Sequence, residues 1–86
     1  MLLANIPEPN AKTVQAYANE HNYIVVEFTH KEEVTYPNIL RIIQTLINKA
    51  RAMGCLEIAL SEIHNHYNIM QDTHLWKITI YGFQIK

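Results

Sequence analysis

Apolar residues recur at helical spacing in two segments and alternate at strand spacing in three others, with glycine and proline between them; this pattern makes the chain an α+β domain of (β)αβαββ order. The expected architecture is a two-layer sandwich, a mixed sheet with both helices on one face and a C-terminal β-hairpin. A chain of 86 residues has room for one hydrophobic core, so residues 1–86 are expected to form a single small domain.

Leu2, Leu3 and Ile6 give a short apolar start that Pro7 and Pro9 end, a brief strand or extended arm. Behind an Asn10 cap, Val14, Tyr17, Ala18 and His21 fall at helical spacing, and this first helix should stop near Asn22. The run Tyr23-Ile24-Val25-Val26-Glu27-Phe28-Thr29 is β-branched and aromatic, with Ile24, Val26 and Phe28 alternating toward one side, which predicts a strand. Residues His30 to Pro37 are charged and contain a proline, and read as a loop.

From Asn38 to Met53, Ile39, Ile43, Leu46, Ile47 and Ala50 form one stripe and Arg41, Thr45, Asn48 and Ala52 the opposite one, an amphipathic helix. Gly54 stands where a left-handed stop is wanted, and Lys49 and Arg51 complement the dipole in the last turn. Strands follow at Cys55 to about Ile63 and Leu75 to about Ile85. They are expected to pair as a hairpin with Ile63 facing Leu75, Leu60 facing Ile78 and Ile58 facing Ile80, a register that gathers the aliphatic residues on one face.

Composition excludes several functions. The net charge is −1 with lysine and arginine scattered from Lys12 to Lys86, so no polyanion footprint is present. Gly54 and Gly82 are the only glycines, which rules out a phosphate-cradling glycine loop. Cys55 is the only cysteine, so neither an internal disulfide nor a paired-thiolate zinc site can form. It reads as a small buried filler. Ser61, the only serine, lies on the opposite strand face from His64, which separates nucleophile from base. Glu32 and Glu33 are adjacent on the expected loop and face water rather than share a proton. The opening residues lack the basic flank and apolar length of a signal peptide or a membrane span, so no membrane partner is expected and the cytoplasm is the expected compartment.

Two surfaces remain as candidates. The expected register sets His64 opposite His74 and His66 opposite Asp72, a set that suits zinc or another divalent ion. A solvated polar hairpin end accounts for the same residues, and neither metal nor cofactor is expected. The second surface is the sheet face left open by the helices, with Tyr23, Val25, Glu27, Glu57, Ala59, Thr79 and Tyr81 pointing outward. Its carboxylates would repel phosphate, so nucleic-acid binding by this face or the hairpin ranks below protein binding.

Apolar residues are 49% of the chain and charged ones 17%, leaving apolar surface for a partner. The expectation is a small non-catalytic protein-binding module, a regulator or inhibitor of the type carried by phages and mobile elements. Tyr23, Tyr67, Ile69, Tyr81 and Phe83 are its expected contact residues, with a homodimer also allowed. Gly82 decides part of this: a bulge there turns Phe83 and Ile85 to the core, and a regular strand leaves them beside Tyr81. If the C-terminal strand is also a sheet edge, it can accept a partner strand.

Overall fold

A computed structural model describes residues 2–86, with the side chains at 31, 33, 36 and 62–66 outside the description. The elements are β1 (Leu2–Leu3), α1 (Ala11–His21), β2 (Tyr23–Thr35), a 3-10 turn (Tyr36–Asn38), α2 (Ile39–Ala52), β3 (Glu57–Asn68) and β4 (Thr73–Ile85). This is the α+β class in the expected order, with two helices and a mixed sheet.

The helix ends follow local chemistry. Asn10 Oδ1 accepts from the Lys12 and Thr13 amides at 2.9 and 3.0 Å, and Thr13 Oγ1 accepts from the Asn10 amide at 2.9 Å, a reciprocal capping box. Asn22 ends α1 in the left-handed conformation at φ 60°. Gly54 does the same after α2 at φ +82°, and the Cys55 amide donates back to the Ala50 carbonyl at 3.1 Å.

The strand order is β1-β3-β4-β2, with β1 parallel to β3 and β4 antiparallel to both its neighbours. The hairpin of β3 and β4 is therefore present, but β4 is a central strand and β2 a sheet edge. That corrects the expectation that the C-terminal strand could lie at an edge. β2 also runs through residues 30–35, expected as a loop: it regains register at Val34↔Trp76 after an irregularity between His30 and Val34. A bulge absorbs the charged residues there and lets pairing resume.

The placement of both helices on one face is also corrected. Ile58 on β3 and Ile78 and Ile80 on β4 pack with Ile39, Leu46 and Ala50 of α2, whereas Ala59 and Phe83 pack with Val14 and Ala18 of α1. Adjacent strand residues point to opposite faces, so Ile58 and Ala59 enter different cores. Each helix makes a two-layer pack with the sheet, on opposite faces. The reason lies in β4, whose run Ile78-Thr79-Ile80-Tyr81-Gly82-Phe83 puts Ile78 and Ile80 on one alternation and Tyr81 and Phe83 on the other, so that both sides need cover.

Register is continuous through Gly82, paired with Val26 on one side and Ile58 on the other, so there is no bulge. A Cβ at Gly82 would meet Cys55 Sγ at 2.5 Å and Phe28 Cε2 at 3.2 Å; glycine is there for close packing. The bulge lies instead in β3, between Leu60 and Ile63. The molecule is elongated, 46 × 24 × 17 Å.

Candidate functional site

At the α1 end of the sheet, a carboxylate is set among aromatic rings. Glu57 opens β3 and pairs with Phe83, and its Oε1 accepts the Tyr17 hydroxyl at 2.7 Å. Tyr17 reaches it because positions 14, 17, 18 and 21 form the helix face turned to the sheet. His21, one turn on, stacks on Tyr17 with ring centroids 4.1 Å apart and lies 5.9 Å from Tyr23. Phe83 sits 5.0 Å from Tyr17 and 5.8 Å from Tyr23.

The hydrogen bond to Glu57, followed by burial and the carboxylate's charge, pushes the Tyr17 phenol up to about 12. The Tyr23 phenol is raised as well, first by the nearby Glu57 carboxylate and then by burial. Neither phenol is poised to ionise near neutrality, and the described hydrogen bond and ring contacts order the side chains against one another. Burial likewise raises the Cys55 thiol, which keeps it protonated and inert beside Gly82. Ser61 donates to the Pro9 carbonyl at 3.1 Å, tying the N-terminal arm to β3.

The other end of the molecule is the hairpin turn. Asn68 Oδ1 accepts from the Met70 and Gln71 amides at 3.0 and 3.3 Å, Asp72 is left-handed at φ 51°, and the Tyr67 hydroxyl donates to Asp72. That bond raises the Tyr67 phenol's pKa. With the turn fixed this way, Tyr67, Ile69 and Met70 are 47%, 81% and 92% exposed.

The expected contact residues separate accordingly. Tyr67 and Ile69 are exposed together at the turn, with Met70, which pattern reading missed because an apolar residue inside a turn has no periodic signal. Tyr23 and Tyr81 share a sheet face as expected, with Val25, Glu27, Glu57, Ala59 and Thr79, but the face is not open: α1 covers its Tyr23–Phe83 end and leaves both tyrosines half-buried. Phe83 is 0% exposed and is a core residue, which corrects the expectation that it contacts a partner.

The candidate metal-binding residues are not brought together in the register that sequence reading gave them. His64 pairs with Lys77, His66 with Leu75 and His74 with Tyr67, so neither the His64–His74 nor the His66–Asp72 juxtaposition forms. The pairing lies two residues along β4 from expectation before the bulge, at Leu60↔Ile80, and three residues after it, at Ile63↔Ile78. A shift by an odd number exchanges faces, which puts position 74 on the opposite face from positions 64 and 66. The side chains of His64 and His66 lie outside the described residues; among those described, no three metal-binding side chains gather.

No described helix is long and apolar enough to cross a membrane. Compared with protein-family models, with curated proteins and with solved structures, the chain matches none.

Proposed function

We propose that this is a small cytoplasmic protein-binding module, a regulator or inhibitor of the kind phages and mobile elements carry, which covers a partner's surface and turns nothing over. The observation that carries the reading is the turn of the β3–β4 hairpin, where Ile69 and Met70 stand in water beside the half-exposed Tyr67 at one end of an elongated molecule. A ring, a branched aliphatic and a flexible thioether on a turn held by Asn68 and Asp72 make a preorganised apolar knob. Its natural complement is an apolar pocket on a folded partner, since aromatic and methionine side chains dominate the centres of such contacts. Hydrogen bonds confined to the turn leave the knob replaceable without loss of the core.

The test compares wild type with Ile69→Ser/Met70→Ser as bait in nuclease-treated and untreated lysate. A protein held by wild type, released by the double variant and indifferent to nuclease is the expected result. Retention that vanishes with nuclease would transfer the function to nucleic-acid binding, and equal capture by both baits would remove the turn from the interface.

A further inference from the structure

The densest run of strand-forming residues, Tyr23-Ile24-Val25-Val26-Glu27-Phe28-Thr29-His30, contains no buried residue, whereas β4 beside it buries Ile78, Ile80, Gly82 and Phe83. Topology is the cause: β4 pairs with one side of β2, and the other side is the sheet edge. The far edge differs. There the Leu2 amide donates to Leu56 O at 3.0 Å, the Ala4 amide to Ile58 O at 2.6 Å and Ser61 Oγ to Pro9 O at 3.1 Å, so the arm of residues 2–9 follows β3 up to its bulge. From Tyr23 to His30, β2 has no such cover, no proline, no lysine and an unbroken register with β4. Glu27 is the one acidic side chain along this stretch; the irregularity and the charged residues Lys31, Glu32 and Glu33 begin only afterwards.

We propose that this edge pairs antiparallel with the same edge of a second copy of the chain, about a two-fold axis through Val26, so that one sheet runs through both protomers. The register follows from two constraints. A two-fold axis perpendicular to the sheet keeps each face continuous, so facing residues have the same parity and the axis passes through a residue. An axis through Glu27 sets two carboxylates against each other, one through Phe28 draws the irregular segment into the ladder, and one through Val25 shortens the ladder. Through Val26, Ile24 faces the partner's Phe28, Tyr23 faces the partner's Thr29 and Val25 faces the partner's Glu27. Ile24, 45% exposed in the single chain, then gains an aromatic cross-strand neighbour. Both α1 and α2 pack against β2, so helices flank the seam on the two faces. The pairing is independent of the hairpin turn and leaves it free.

Sedimentation across micromolar concentrations should give twice the 10.0 kDa chain mass for wild type. Ile24→Lys, at an exposed position, should sediment as a folded monomer by circular dichroism. Position 26 faces itself within disulfide reach, while position 27 faces its own copy only diagonally. Under mild oxidation, Val26→Cys should therefore crosslink to itself quickly, Glu27→Cys slowly, and wild type, whose Cys55 is buried, not at all. A monomeric wild type at all concentrations, a dimeric Ile24→Lys, or crosslinking at 27 as fast as at 26 would each overturn the proposal.

Discussion

The two faces of the sheet are held by different chemistry. Under α2 the core is aliphatic, with Ile39, Leu46, Ile58, Ile78 and Ile80 around Ala50 and Cys55. Under α1 it is built from small residues, Ala4, Val14, Ala18 and Ala59, around the single large anchor Phe83, with Tyr17, Tyr23 and Glu57 as a polar rim. The first core spreads its stabilisation over many interchangeable side chains; the second concentrates it in one ring. Truncation of that ring should therefore be the more damaging of the two.

Phe83→Ala is the sharpest way to break the contrast. A fully buried phenylalanine cut to alanine costs about 3–5 kcal/mol, against a total of about 4–13 kcal/mol for a domain this size. Leu46→Ala, on the other face, falls in the range of about 2–5 kcal/mol, and the smaller side chain it removes places it below Phe83→Ala. Urea unfolding of both variants measures this; a Phe83→Ala midpoint at or above that of Leu46→Ala would show that the α1 core is not anchored by the ring.

Gly82→Ala comes next. The added methyl meets Cys55 Sγ, so the variant should lose about 1–3 kcal/mol through overpacking. Cys55→Ala removes that sulfur, and in its background the cost of Gly82→Ala should shrink. A double-mutant cycle with no coupling would mean that the Phe28 ring, not the thiol, sets the limit.

The smallest effect belongs to the polar rim. Tyr17→Phe removes the 2.7 Å hydrogen bond to Glu57, a loss of about 0.5–1.5 kcal/mol. It also has a pH signature. The Tyr17 phenol is held up to about 12 in the folded chain, above its ordinary value of 10.0, so the folded state retains a proton that the unfolded state has released between these values. Its contribution is complete below pH 10.0 and is lost as the pH rises toward about 12. Thermal melting over that window should fall less steeply for Tyr17→Phe than for wild type; parallel slopes would detach the stability loss from this bond.

How much of this was legible beforehand varies by residue. The Asn10 cap, the Asn22 stop, the stripe from Ile39 to Ala50 and the left-handed Gly54 each depend on neighbours within a few positions, and all stand where local chemistry put them. Of the candidate contacts, Tyr67 and Ile69 lie on a surface, while Phe83 is buried: alternation shows that Tyr81 and Phe83 share a face but not that α1 covers it.

The sequence by itself determined the identity and order of the helices and main strands and the hairpin, because these rest on short-range periodicity and capping. The tertiary structure decided which face each helix takes, that β4 is central and β2 an edge, and that His74 pairs with Tyr67 rather than with His64. The physical reason is that a period of two defines alternation but not its partner. One extra residue between Leu60 and Ile63 inverts every later pairing, and that bulge is fixed by contacts far apart in the chain.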